Sequence, residues 1–128
     1  CNRSDGLGLQ ALRDRGVALF VISTEVNPVV TARCEKLRIP CFQGCDDKVK
    51  VLEEQAAGLH IPFEEIAFLG NDVNDLGCLK KVGLSACVSD SHPVVLASCM
   101  YITELPGGRG AVREFCDFVA GAKDAGLR

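Results

Sequence analysis

Five short apolar runs, separated by segments with helical periodicity, constrain this chain more than any single motif does. Val17 to Ile22 (VALFVI), Pro40 to Phe42, Ile66 to Leu69 (IAFL), Leu84 to Val88 and Met100 to Thr103 each read as a strand. A run such as VALFVI has no polar face, so a strand built from it must be covered on both sides. The segments between them read as helices. Asp5 to Arg15 has Asp5 as N-cap and Gly16 as its stop. Asn27-Pro28 supplies a cap followed by proline at the first helical position, and Val26, Val29, Val30, Cys34 and Leu37 recur at helical spacing through Arg38. A third helix, capped near Asp46, places Val49, Leu52, Ala56 and Leu59 on one face. Another helix opens in the polar loop Gly70 to Asp75 and ends at Gly83, and His92-Pro93 starts a short one. The last begins at Ala111 with Val112, Phe115, Cys116 and Val119 inward. Strand–helix alternation of this kind predicts a three-layer α/β, Rossmann-like fold, with a parallel sheet and right-handed crossovers.

Composition narrows the class. A length of 128 residues predicts one domain spanning residues 1–128 with a real core. The 48% hydrophobic and 24% charged content fits a soluble globular protein. A net charge of −3 argues against nucleic acid or a membrane surface as partner. No apolar run approaches the roughly 18 residues of a membrane span. The eight cysteines, at positions 1, 34, 41, 45, 78, 87, 99 and 116, form no C-x-x-C pair. They read as small buried hydrophobes of a reducing compartment. Cys41 and Cys45 with His60 match no common zinc spacing. Because the chain begins at Cys1 and not at methionine, further residues are expected upstream.

In parallel α/β sheets, ligands bind beyond the carboxyl ends of the strands. That rule selects the loops Ser23 to Asn27, Gln43 to Lys48, Gly70 to Asp75 and Ser89 to His92. Ser23 and Thr24 follow the first strand directly, where a hydroxyl either donates to a phosphate oxygen or caps the next helix. Lys48 sits near a helix start and so opposes the helix dipole by a few tenths of a kcal/mol. A neighbouring phosphate would offset that misplacement. Asn71, Asp72, Asn74 and Asp75 in GNDVND are hard oxygen donors suited to Mg²⁺. An Asx-turn with an N-cap explains Asn74 or Asp75, but does not need two acids and two amides so close together. A hydroxyl, a lysine and an acidic loop on successive strand ends point to metal-assisted phosphoryl chemistry.

That order resembles the haloacid dehalogenase (HAD) superfamily. The stretches LGNDVNDLGCLKKVGLS, SDSHP and PGGRGAVREFCDFV are similar to the 3-deoxy-manno-octulosonate 8-phosphate phosphatase group. That group includes nonulosonate 9-phosphate phosphatases and the C-terminal domain of acylneuraminate cytidylyltransferases. The resemblance covers nearly the whole chain. It implies a small cytosolic HAD domain without a large cap, forming a homotetramer in which a neighbouring subunit closes the active site. It implies Mg²⁺ as cofactor and a sugar-acid phosphate as substrate. On this resemblance Ser23 and Thr24 bind phosphate, and Lys48 binds it too and acts catalytically by offsetting charge. Asn71 and Asp72 hold Mg²⁺ with Asp75 in support, and Arg109 and Gly108 contact substrate. The backbone amides of Gly107 to Gly110 also suit an anion nest by themselves.

The family's nucleophile is the first aspartate of a D-x-D strand, and no such triplet occurs here. Without it no phosphoaspartyl intermediate forms, so the chain as given is expected to be inactive. The resemblance implies that the missing strand lies between the strands ending at Ile22 and Leu69, and it is expected to be supplied from upstream of Cys1. Asn71 stands where the phosphatases usually show aspartate, and Glu25 where octulosonate phosphatases tend to show a glycine-arginine pair. Two functions follow: a Mg²⁺-dependent sugar-acid phosphatase completed from upstream, or a non-catalytic, subunit-joining module of an acylneuraminate cytidylyltransferase. Of the remaining polar residues, His60 reads as solvated, His92 as a helix cap, and Arg113 with Glu114 as a surface pair of small value.

Overall fold

In the computed structural model, residues 4–107 and 109–126 are described. The elements alternate: α1 (Ser4–Asp14), β1 (Val21–Ile22), α2 (Pro28–Leu37), β2 (Cys41–Phe42), α3 (Lys48–Leu59), β3 (Ala67–Gly70), α4 (Leu76–Lys81), β4 (Leu84–Cys87), α5 (Pro93–Leu96), β5 (Tyr101–Ile102) and α6 (Ala111–Asp124). Single 3₁₀ turns at Phe63–Glu65 and Val73–Asp75 precede β3 and α4. Every strand pairing is parallel, as the alternation requires. The fold is Rossmann-like α/β.

The strands form two sheets, β1-β2 and β3-β4-β5, with no ladder joining them among the described residues. Val21 is in register with Cys41, and Ala67 with Leu84. Among the described residues one edge of β1 and one edge of β3 therefore lack a strand partner, at the place where the family resemblance puts the absent strand. The first strand is also shorter than VALFVI suggested. Its one ladder partner among the described residues, β2, is two residues long, and a ladder cannot outrun its partner. Val17 and Leu19 nevertheless pack against the core, so the apolar run serves burial where it does not serve pairing.

The larger core cluster joins Leu12 of α1, Ala86 of β4 and Phe115, Cys116, Val119 and Ala120 of α6. Leu19, ahead of β1, and Leu69, on β3, both pack against it, so the two sheets share one interior. A second cluster, Leu79, Cys87 and Val95, lies under α4 and α5. Helices α1 and α6 cross closely at Gly8, where a Cβ would fall 2.8 Å from Cys116 Cβ and 2.9 Å from Arg113 Cδ.

Several local expectations change. Asp5 is not an N-cap: α1 begins at Ser4, and the buried Asp5 carboxylate accepts from the Arg113 amide on α6 at 3.3 Å. The cap of α3 is Asp47, one residue beyond Asp46, and it accepts from Lys50 N at 3.1 Å. On α2 the apolar spacing overstates burial. Cys34 is buried, whereas Val26 and Val29 are 75% and 74% exposed. Leu59 is likewise exposed, while Leu52 and Ala56 on the same face are buried. Among the described residues no helix is long and apolar enough to cross a membrane.

Candidate functional site

The site is organised by the turn that leaves β3. Gly70 ends that strand, and a Cβ there would lie 2.7 Å from Asp75 Cβ and 2.9 Å from its carboxyl carbon. Glycine thus lets the Asp75 side chain fold back over the strand end. Asp75 Oδ2 accepts from the amides of Asn71 at 2.9 Å and Asp72 at 3.2 Å. Asp72 Oδ1 accepts from Val73 N at 2.7 Å, and the Asp72 carboxylate also receives the Asp75 amide, the reciprocal half of a capping box over the 3₁₀ turn. The other oxygen, Asp75 Oδ1, accepts from Lys48 Nζ at 2.7 Å, with the two side chains only 4% and 10% exposed.

This pair revises the electrostatics read from the sequence. Lys48 is the first residue of α3, where its charge opposes the dipole. Asp75, not a phosphate, supplies the neighbouring negative charge. Both Asp75 oxygens are committed, so this carboxylate clamps the loop to the lysine. An ammonium has three N–H donors, and one is used here.

Ser23 and Thr24 leave β1 at the same end of the sheets. Ser23 is fixed through its backbone, donating to Phe42 O at 2.8 Å and accepting from Cys45 N at 3.0 Å. Its hydroxyl oxygen accepts from Glu25 N at 3.2 Å, which leaves the O–H free to donate. Thr24 Oγ1 accepts from Asn74 Nδ2 at 3.5 Å, tying this loop to the acidic one. Gln43, which sequence reasoning passed over, staples the loop further. Its amide group bonds Asn27 N, Asn27 O and Thr31 Oγ1 at 3.3, 3.2 and 2.7 Å.

The loops after β4 and β5 join the same rim. His92 N donates to Asn71 O at 3.2 Å, and His92 Nδ1 accepts from Val94 N at 3.2 Å, so it caps α5 as its position before Pro93 suggested. Asp90 Oδ1 accepts from Gly107 N at 2.9 Å. Arg109 lies exposed on that glycine-rich loop, held by a bond from its own amide to Pro106 O at 3.1 Å. Gly108, the other substrate contact expected from the sequence, lies outside the described residues. Hydrogen bonds thus link the loops bearing Ser23, Thr24, Lys48, Asn71, Asp72, Asp75 and Arg109 in series.

For a metal, the acidic loop offers the exposed Asp72 carboxylate, which also caps the turn, and the exposed Asn71 amide. Magnesium is commonly held by one or two carboxylates, with water and phosphate filling its octahedron. These donors fit that minimum. Among the described residues no group of three or more His, Cys, Asp or Glu side chains forms a metal site.

Sequence reasoning also misjudged Glu114. It is no partner of Arg113, which instead pairs with Asp117 at 2.9 Å. Glu114 accepts from Tyr101 Oη at 2.8 Å, from Glu104 N at 2.9 Å and from Leu105 N at 3.0 Å. Burial would raise its pKa, but these donors, the Glu104 and Leu105 amides foremost, outweigh burial and hold it below the ordinary carboxylate value. The Tyr101 hydroxyl, partly buried and facing Glu114, is pushed up to about 12.

The model of the haloacid dehalogenase-like hydrolases matches residues 42–113, more than half of the chain and the whole of the Lys48–Asp75 constellation. The chain belongs to this family. A curated relative, the 3-deoxy-D-manno-octulosonate 8-phosphate phosphatase of Yersinia pestis, is 36% identical over 96% of this chain. The crystal structure of the enzyme of that name from Yersinia pestis superposes with a TM-score of 0.93 at 35% identity, covering 96% of this chain and 67% of that one. The Moraxella catarrhalis phosphatase, solved with magnesium, phosphate and KDO, superposes with a TM-score of 0.88 at 36% identity, over 95% of this chain and 72% of that one. The chain spans 66% of the length of the curated Yersinia relative. The buried Lys48–Asp75 pair and the acidic turn both lie within the stretch that the family model matches.

Proposed function

We propose that this chain is the greater part of a Mg²⁺-dependent phosphatase domain that hydrolyses a sugar-acid phosphate, either an octulosonate 8-phosphate or a nonulosonate 9-phosphate. The observation that carries the reading is the buried Lys48–Asp75 pair, which fixes an ammonium at the carboxyl ends of the strands beside an acidic turn. A cation held in place before substrate arrives needs no reorganisation when charge develops on a transferring phosphoryl group. Ser23, with its O–H free, donates to a phosphoryl oxygen, and Thr24 lines the same edge. Lys48 offsets phosphate charge with its remaining N–H donors, while Asp75 keeps it in position. Asn71 and Asp72 would hold the magnesium ion, which supplies charge neutralisation at the phosphoryl oxygens when bound.

The attacking carboxylate is not among these residues. In this reading a strand from the longer polypeptide enters between β1 and β3 and brings it, so the 128-residue chain alone does not turn over. Assembly as a homotetramer and a cytosolic location belong to the same proposal. A full-length protein assayed with Mg²⁺ should release phosphate from 3-deoxy-D-manno-octulosonate 8-phosphate or sialic acid 9-phosphate, and chelation should abolish the release. Lys48→Met should lower kcat/KM at least about 100-fold, on the scale of a lost electrostatic stabiliser. No release from either ester sinks the phosphatase reading. The second reading, a C-terminal module of an acylneuraminate cytidylyltransferase, is favoured by Asn71, whose neutral amide weakens a metal site. It predicts no release, with subunit dissociation when this region is removed.

A further inference from the structure

Arg109 is an exposed cation on the loop between β5 and α6. No bond or ion pair to its guanidinium is recorded among the described residues. The loop beneath it is held at three points. Glu114, in the first turns of α6, receives the consecutive amides of Glu104 and Leu105 together with the Tyr101 hydroxyl. Thr103, 1% exposed, donates its hydroxyl to Leu105 O at 2.6 Å. Asp90 receives the Gly107 amide at 2.9 Å. A loop without anchors would present an arginine over a wide volume, and that freedom would be lost on binding. Here the ordering is already done, with side chains that make no other recorded bond: neither Glu114 nor Asp90 touches Lys48, Asp75 or the acidic turn.

One of these anchors, Asp90, also connects the loop to the site. Asp90 belongs to the turn after β4, whose His92 amide bonds Asn71 O at 3.2 Å. The free guanidinium therefore sits on the rim that continues from the acidic loop. A phosphate held by Ser23 and Lys48 leaves the sugar acid's carboxylate as the substrate's second anion, and arginine suits a carboxylate through its paired N–H donors.

We propose that Glu114 and Asp90 are positioning residues: they fix the loop at Glu104, Leu105 and Gly107 so that Arg109 meets the carboxylate of the sugar-acid substrate. This rests on the substrate class proposed above. The test uses full-length protein and calorimetric affinities for two separate probes, free 3-deoxy-D-manno-octulosonate and inorganic phosphate, in Arg109→Ala, Glu114→Gln and Asp90→Asn variants. Amide hydrogen exchange over residues 104–107 is followed in parallel. The conservative variants keep side-chain shape while removing the acceptor charge. All three substitutions should weaken the sugar acid about tenfold, a typical loss for one charge-assisted contact, and leave phosphate affinity unchanged. Glu114→Gln and Asp90→Asn should also speed exchange at 104–107, which Arg109→Ala should not. If Arg109→Ala leaves sugar-acid affinity intact, the substrate reading of that arginine fails, and the positioning role with it. If Arg109→Ala weakens binding while Glu114→Gln and Asp90→Asn alter neither affinity nor exchange, the positioning role alone fails. An equal loss of phosphate affinity in the anchor variants would mark a general structural defect and overturn the proposal.

Discussion

Asp75 receives three donors on two oxygens: the Lys48 ammonium and the amides of Asn71 and Asp72. A buried charge so fully engaged is not a reserve of stability relative to an apolar pair, but breaking it from one side is costly, because the other charge is left stranded. Lys48→Met should therefore destabilise the fold by about 3 kcal/mol, at the lower end for a broken buried pair, read as a lowered urea midpoint with an unchanged m-value. A loss within about 0.5 kcal/mol, the range of ordinary surface substitutions, would mean that the pair is solvated in solution. Both residues were visible in the sequence as candidates, but their pairing was not, since 27 positions separate them and nothing local links them. Glu114 shows the opposite difficulty. Its neighbour Arg113 invited a pair, yet adjacent residues on a helix point to different sides and only i,i+3 and i,i+4 positions meet. Arg113 accordingly pairs with Asp117.

At the scale of elements, the helix ends were the most legible feature. Asn27 and His92 cap α2 and α5 with proline following each, because a side-chain acceptor and a preset φ act locally. Buried faces were less legible. Val26 and Val29 continue a helical apolar spacing, but spacing records only which residues share a face, not whether another element covers it. Gly16 closes α1 in a left-handed conformation, φ 78°, as its place in the sequence suggested, but the C-caps of α2 and α3 were missed. Arg38 and His60 adopt left-handed conformations, φ 59° and 57°, and their amides close the last turns of α2 and α3. A side chain in that region is strained by roughly 1 kcal/mol relative to glycine. His60 is exposed and makes no recorded side-chain contact, so His60→Gly should stabilise the protein. The gain should be several tenths of a kcal/mol, after allowing for glycine's greater freedom in the unfolded chain. Thermal unfolding checks this, and a lowered midpoint would show that the imidazole contributes more than its backbone conformation costs.

At the scale of the molecule, parallel α/β architecture followed from strand–helix alternation, whereas the break in the sheet was expected only through the family resemblance, which implies a central D-x-D strand that these residues lack. Val21 N donates to Pro40 O, just ahead of β2, at 2.9 Å, and Ser23 N to Phe42 O of β2 at 2.8 Å. Backbone alternation along a strand therefore aims the Ile22 amide away from β2, toward the open edge of β1. On β3, Ile66 O accepts from Leu84 N, so the alternate residues Ala67 and Leu69 direct their amides away from β4. Backbone donors left unpaired beside a core are costly, and exposed strand edges invite pairing with other chains. If a strand of the longer polypeptide fills this place, Ile22, Ala67 and Leu69 should exchange their amide hydrogens at least about 100-fold more slowly in the full-length protein than in the 128-residue chain, as expected when open edge amides become central ladder bonds. The amides of Val21 and Ser23, already bonded to Pro40 O and Phe42 O, should change much less. Equal exchange of both sets in the two proteins would mean that no strand enters between the sheets, and the proposed source of the nucleophile would be lost with it.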